Sequence, residues 1–347
     1  MQEITIGGRP VGPAHAPFII AELSGNHNQS LERGLAIVDA VAAAGAHAIK
    51  LQTYTADTMT LRGVHRIEDP NSLWYGRELY DLYEEAHTPW DWHRALFDRA
   101  KQHGLVAFSS PFDESAVDFL ESLDAPAYKI ASFENTDWPL LRRVARTGKP
   151  VIMSIGASKL AEVAEAVDIL RAEGCRDLVL LKCTSTYPAT PQNTNLRTIP
   201  HLQQLFPDAL VGLSDHTMGV GAAVGAVALG ATVVEKHVTL RRADGGVDSA
   251  FSLEPEEVAQ LVTETERVWQ ALGHIQYGVQ RAEEKSRLYK RSIYVARDIR
   301  AGEAFTADNL RVVRPGDGLA PRFYAEVMGK TARTDLRAGT PLTWEAL

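Results

Sequence analysis

The sequence predicts an α/β chain: a (β/α)8 TIM barrel followed by a small C-terminal domain of short strands. Three observations predict it. Eight short apolar runs alternate with helical patterns up to about residue 273. Polar and charged residues gather where each run meets the loop after it. Beyond residue 290 the texture changes to short strands and turns, and 347 residues is about the length of such a barrel plus a small domain.

Phe18–Leu23 is the first run, and Ser30 is placed to cap a helix ending near Gly45. Ala48–Gln52 is the second. Residues 54–90 then separate this run from its helix and carry Asn71-Ser72-Leu73-Trp74 and the stretch Leu79 to Trp90. A connection that long in a compact domain reads as a functional lid, here on the face where barrels keep their chemistry. Val106–Ser109 is the third run, and Asp113 caps the helix holding Val117, Leu120 and Leu123. Ala127–Ile130 is the fourth, and the helix opened by Asp137 stops at Gly148-Lys149-Pro150. Val151–Ser154 and Leu178–Lys182 are the fifth and sixth. Leu210–Leu213 and Thr232–Glu235 are short, β-branched and not alternating, as buried parallel strands are, with room for one helix between Gly219 and Gly230. Pro255 sits in the first turn of a last helix running to Leu272. The expected division is a barrel at 1–275, a polar, partly helical linker at 276–290, and a compact domain at 291–347, small enough to need a docking partner.

Net charge is −8, from 36 basic and 44 acidic residues, which argues against nucleic acid or an anionic membrane as partner but leaves room for an anionic small molecule. Cys175 and Cys183 are too few for a disulfide framework and fit a reducing, cytoplasmic setting. The N-terminal stretch has no basic start followed by an apolar run, so no signal peptide is read there. The longest uncharged stretch, Thr217 to Val234, is Gly/Ala-rich and broken by Gly230, so it is read as a packed helix and a strand, with no membrane span expected.

The strand-end residues are, in order, Glu22; Lys50 and Gln52; Ser109 and Ser110; Lys129 and Ser132; Ser154; Lys182, Thr184 and Ser185; Ser214, Asp215 and His216; and Glu235 and His237. His216 and His237 lie 21 positions apart, each at the end of one of the last two runs. Two imidazoles delivered by neighbouring strand ends, with Asp215 and Glu235 close by, have the chemistry to hold a divalent cation. The plainer reading is two satisfied histidines near a surface. Lys50 and Lys129 with serine hydroxyls would build an oxyanion pocket suited to phosphate plus carboxylate, unless one lysine instead pairs with Glu22 or Glu235. A barrel lysine, Lys129 or Lys182, also suits a Schiff-base aldolase.

These motifs resemble the sialic acid synthase family over nearly the whole chain from Phe18. The matching stretches are Ile20-Ala21-Glu22 with Asn26-His27, Ala48-Ile49-Lys50-Leu51-Gln52, Ser109-Ser110-Pro111-Phe112-Asp113, Tyr128-Lys129-Ile130-Ala131-Ser132, Lys182-Cys183-Thr184-Ser185-Thr186-Tyr187-Pro188, Gly212-Leu213-Ser214-Asp215-His216-Thr217 and Glu235-Lys236-His237. The tail, with Arg314-Pro315-Gly316, resembles the antifreeze-like (SAF, β-clip) domain of that family. Within the family, the loop Leu79 to Trp92 and Ala131-Ser132-Phe133-Glu134-Asn135-Thr136-Asp137 are most similar to the branch that makes pseudaminic acid. Ser185 stands where the sialic acid branch usually has Asn. Met153-Ser154-Ile155-Gly156-Ala157 departs from the family's Ser-Thr-Gly-Met, which puts one hydrogen bond to phosphate in doubt.

The resemblance implies a transferase that condenses phosphoenolpyruvate with an amino sugar, here 2,4-diacetamido-2,4,6-trideoxy-L-altrose, releasing phosphate by C–O cleavage. It implies a divalent metal on His216 and His237, Mn²⁺ first and Mg²⁺ or Co²⁺ as alternatives. Glu22 would orient the sugar and metal-bound water or move a proton. Lys50, Ser110, Lys129, Ser132, Ser154 and Ser214 would bind phosphoenolpyruvate. Gln52, Ser185, Tyr187 and Asp248 would face the sugar, although Asp244 to Asp248 is also an ordinary turn. Asp215 or Glu235 would tune the histidines. A domain-swapped homodimer would bring Arg314 to the sugar. The competing readings are an N-acetylneuraminate or legionaminate synthase, the aldolase, and a non-catalytic sugar- or anion-binding protein.

Overall fold

The computed structural model describes residues 3–347. A hairpin of β1 (Ile4–Ile6) and β2 (Arg9–Val11) precedes eight strands: β3 (Phe18–Glu22), β4 (Ala48–Thr53), β5 (Val106–Pro111), β6 (Tyr128–Ile130), β7 (Val151–Ser154), β8 (Leu178–Cys183), β9 (Leu210–Ser214) and β10 (Val233–His237). They close into a parallel barrel in the order β10-β3-β4-β5-β6-β7-β8-β9, the TIM barrel expected. Several strands run one or two residues further than the apolar runs, because their last positions carry the polar residues of the mouth.

The helix punctuation operates as the sequence indicates. Ser30 Oγ accepts from Arg33 N at 3.2 Å, and Asp113 accepts from the amides of Ser115 and Ala116. Asp137 accepts from Leu140 N at 3.1 Å, although that helix ends at Ala145, short of Gly148. The long connection after β4 contains helices Ala56–Met59 and Leu79–Ala86 before its barrel helix, Trp92–Gln102.

Strand residues sort by parity, as the pleat requires. Ile19, Ala21, Ile49, Leu51, Met153 and Leu180 face outward into the layer shared with the helices. Phe18, Ile20, Phe108, Ile152, Leu181 and Val233 fill the lower barrel, joined there by Ile4, Ile6 and Val11 of the hairpin. The hairpin thus seals the end opposite the site. Its turn needs Gly7: φ is +57°, and a Cβ would lie 2.7 Å from a Val106 methyl.

The chain divides into two compact units, the first ending at Gly273 and the second spanning His274–Leu347. The division falls two residues before the boundary expected at 275, and the expected linker clusters with the second unit, where it forms the exposed 3₁₀ helix Arg281–Tyr289. In that unit β11 (Ser292–Val295) pairs antiparallel with β12 (Leu310–Val313) over a core of Ile293, Val295, Ile299, Phe305, Leu310, Val327 and Leu342. Among the described residues no helix is long and apolar enough to cross a membrane.

Candidate active site

Above the apolar barrel floor, the same inward parity that places Ile20 and Phe108 delivers charge. Strand register sets Glu22 beside Lys50 on one side and His237 on the other. Lys50 Nζ lies 3.0 Å from Glu22 Oε2 and 3.1 Å from Glu235 Oε2, and Lys129 Nζ donates to Glu235 Oε1 at 3.0 Å. Ser214 Oγ donates to the same Glu235 oxygen at 3.0 Å, and Gln52 Nε2 to Glu22 Oε1 at 2.7 Å. The result is a buried chain of alternating charge, Glu22–Lys50–Glu235–Lys129.

Burial opposes the charged form of every member, and the neighbours decide each outcome. Burial would raise Glu22, but His237, Lys50 and Lys129 hold its carboxyl well below the usual range. Glu235 is lowered against burial by Lys129 and Lys50. Lys50, between two carboxylates, is raised despite burial. Lys129 stands at the end of the chain beside one carboxylate, and burial lowers it. The sequence left open whether one lysine pairs with Glu22 or Glu235; both are paired. An ammonium has three hydrogens, and Lys129 donates one to Glu235, so donors remain for an anion.

His216, two residues beyond β9, and His237, the last residue of β10, stand with ring centroids 5.2 Å apart. His216 Nδ1 is 3.1 Å from the Thr184 carbonyl oxygen. A carbonyl only accepts, so Nδ1 carries the hydrogen, and in the neutral ring Nε2 keeps its lone pair, the arrangement a metal-binding imidazole needs. His237 Nε2 lies 3.2 Å from Glu22 Oε2 and its Nδ1 3.8 Å from Asp248 Oδ2, and Asp248 itself accepts from the hydroxyl of Ser24. The donor set therefore fits a cation held by two imidazoles, with the other positions left to substrate and water. Among the described residues no group of three or more His, Cys, Asp or Glu side chains converges to hold one.

Asp215 and Glu235 do not serve the histidines as expected. Asp215 points out of the barrel and accepts from Lys236 Nζ at 2.8 Å, while Glu235 is committed to the lysines. Lys182 donates to the Cys183 carbonyl and to Thr184 Oγ1 and takes no part in the charged chain, which leaves Lys129 as the one barrel lysine of the two named for an aldolase that stands in the site.

The hydroxyls surround a second part of the pocket. Ser132 Oγ accepts from Gly156 N at 3.1 Å, and a Cβ at Gly156 would collide with the hydroxyls of Ser132 and Ser185. Ser110 Oγ and Ser154 Oγ are buried with no hydrogen-bond partner, as hydroxyls awaiting a ligand would be. Ile155 packs on the apolar layers outside the barrel, so the donor it lacks relative to threonine is lacking on the outer side.

Aromatic rings wall the opening. Tyr187 lies 4.5 Å from His216, centroid to centroid, and Phe251 5.0 Å from His237. Arg314 belongs to the second unit, where its peptide bond to Pro315 is cis.

Three site residues escaped sequence reasoning. Cys183 ends β8 on the inward parity of Val179 and Leu181, 3.8 Å from His216 Nδ1, and that parity would have exposed it. Phe251 follows no strand pattern. Glu134, in a 3₁₀ turn after β6, has one buried oxygen with no partner, and burial raises its pKa to about 7 against the pull of Lys129.

The profile of the NeuB family matches residues 37–277 and that of the SAF domain residues 290–347. A pseudaminic acid synthase of Campylobacter jejuni serotype O:2 is 44% identical over 328 residues, 94% of this chain and 95% of that protein. One of Helicobacter pylori is 41% identical over 332 residues, 94% and 96% of the two. The crystal structure of an N-acetylneuraminic acid synthetase of Leptospira borgpetersenii in complex with citrate superposes with a TM-score of 0.74 at 33% identity, covering 82% of this chain and 95% of that one.

Proposed function

The chain belongs to the NeuB family, with a SAF domain at its C-terminal end, and from that premise we propose that it is a pseudaminic acid synthase. It would condense phosphoenolpyruvate with 2,4-diacetamido-2,4,6-trideoxy-L-altrose to give pseudaminic acid and phosphate. The observation that carries the acceptor is the 44% identity, over 94% of the chain, to an enzyme of that name. The chemistry itself is supported by the paired imidazoles over a buried charge chain at the barrel mouth.

Each residue then has a task. Lys50 and Lys129 neutralise phosphoenolpyruvate, and the hydroxyls of Ser110, Ser132, Ser154 and Ser214 with Gly156 N supply directed donors. His216 and His237 would hold a divalent cation, Mn²⁺ first, which when bound supplies Lewis-acid polarisation of the sugar aldehyde. Carbon 3 of phosphoenolpyruvate attacks that aldehyde carbon, water adds at carbon 2, and phosphate departs with the bridging oxygen. Glu22, held ionised between Lys50 and His237, orients the acceptor through its carboxylate. Gln52, Ser185, Tyr187 and Asp248 face the sugar. The protein would act in the cytoplasm as a homodimer, Arg314 of one copy serving the sugar site of the other.

The test is phosphate release from phosphoenolpyruvate by metal-loaded protein, offered the altrose-configured sugar and N-acetylmannosamine in parallel. Release with the altrose sugar alone, abolished by chelator, supports the reading. Release with N-acetylmannosamine alone keeps the chemistry and replaces the acceptor. Borohydride trapping of the protein with pyruvate, with no effect of chelator, would favour the aldolase.

A further inference from the structure

Trp74 lies in the long connection after β4, and its contacts are with the loops after β10 and β8. Its indole Nε1 donates to the Val247 carbonyl at 2.9 Å, in the loop after β10, one residue before Asp248. Its ring stands 5.8 Å from that of Tyr187, in the loop after β8. In the closed order β10-β3-β4-β5-β6-β7-β8-β9, β4 and β8 are diametrically opposite. The long connection therefore carries Trp74 from the β4 side of the mouth to the loops after β8 and β10, beside Tyr187, which packs on His216, while Phe251 packs on His237.

We propose that Trp74 roofs the far end of the acceptor subsite and selects a sugar ending in a methyl group over one ending in a hydroxymethyl group. The inference rests on the synthase reading above. An acceptor whose aldehyde lies at the two imidazoles cannot extend downward, because Ile20, Phe108, Ile152 and Leu181 fill the barrel beneath. Its far end must rise toward Trp74 and Tyr187. Trp has one donor, and that of Trp74 is already given to Val247, so the ring offers the sugar only apolar surface. A methyl gains from that surface, and a hydroxyl there loses water without gaining a partner.

The experiment compares kcat/KM for the 6-deoxy diacetamido altrose sugar with that for its 6-hydroxy counterpart, together with KM for phosphoenolpyruvate. The wild type is expected to prefer the deoxy sugar about 10- to 100-fold. Trp74→Ala is expected to bring the ratio within about threefold of one while KM for phosphoenolpyruvate stays within about twofold, since the anion binds at Lys50 and Lys129, away from Trp74. Trp74→Phe keeps an apolar face and is expected to keep most of the preference. An unchanged ratio in Trp74→Ala overturns the inference, and so does an equal loss for both sugars and phosphoenolpyruvate. A loss in Trp74→Phe as complete as in Trp74→Ala overturns it too. If the wild type turns over neither altrose sugar, the synthase reading falls and this inference with it; if the wild type has the preference and Trp74→Ala keeps it, this inference falls alone.

Discussion

Glu235→Gln is the substitution whose cost the structure defines best. Glu235 is 1% exposed and is the carboxylate that Lys50 and Lys129 share, at 3.1 and 3.0 Å. In the variant Lys50 keeps Glu22 at 3.0 Å, but Lys129 loses the carboxylate it donates to. Leaving one buried ion uncompensated costs about 3–5 kcal/mol. The penalty has a ceiling, because Lys129 has the option of losing its proton: taking an ordinary lysine to its neutral form at pH 7 costs about 4.6 kcal/mol. For a barrel of this size that predicts a Tm lower by about 6–10 °C. The pH dependence has a definite sign. Lys129 in the variant has a folded pKa below its unfolded value, so the unfolded state binds more protons and stability rises with pH between the two. The deficit is thus largest near pH 7 and shrinks toward pH 9. Inorganic phosphate, an anion for the freed lysine, is expected to raise the variant's Tm more than the wild type's. Thermal unfolding at pH 7 and 9, with and without phosphate, reads all three. Lys129→Met/Glu235→Gln removes the orphaned charge and is expected to recover most of the loss. A Tm within 2 °C of wild type for Glu235→Gln, or a deficit that grows with pH, would show that Glu235 does not hold the Lys129 charge in the folded protein.

Further outcomes follow from the same geometry. His216→Ala and His237→Ala are each expected to lower phosphate release at least about 10³-fold and to abolish tight Mn²⁺ binding by equilibrium dialysis. Lys236→Met leaves Asp215 buried and unpaired and should cost about 3–5 kcal/mol, with Asp215→Leu/Lys236→Met nearer wild type by urea unfolding. Glu134, raised from an ordinary carboxyl to about pKa 7, binds a proton in the folded state that the unfolded state releases, so it makes stability fall as pH rises from about 4.5 to 7. Glu134→Gln should flatten that fall by about 1–3 kcal/mol in chemical unfolding at pH 5 and 8.

The barrel was legible because each strand is a short apolar run and each loop opens on a polar residue, a pattern that survives without any knowledge of pairing. That polar residues gather at the barrel mouth was legible for the same reason. The wiring among them was not. Which carboxylate meets which lysine depends on register across the ring, and parity decides more than residue type does: in Tyr128-Lys129-Ile130 the lysine turns inward, whereas in Glu235-Lys236-His237 it turns outward to Asp215. Read as neighbours in sequence, Asp215 and His216 looked like partners; the pleat sends them to opposite sides. Ile155 looked like a lost phosphate contact for the same reason, and it faces the outer layer. Glu134 and Trp74 sit in turns whose direction no periodicity encodes. The three-residue strands of the N-terminal hairpin are too short to leave a pattern, yet they seal the barrel.

The proposed reaction condenses phosphoenolpyruvate with the altrose-configured diacetamido sugar, with phosphate leaving by C–O cleavage. Phosphoenolpyruvate carrying ¹⁸O in its bridging position tests both parts in one reaction, followed by mass spectrometry of the sugar product and of the phosphate. A nine-carbon product of pseudaminic acid mass is expected, with the label carried into the phosphate. Unlabelled phosphate, or no product with this sugar under conditions where N-acetylmannosamine reacts, would contradict it.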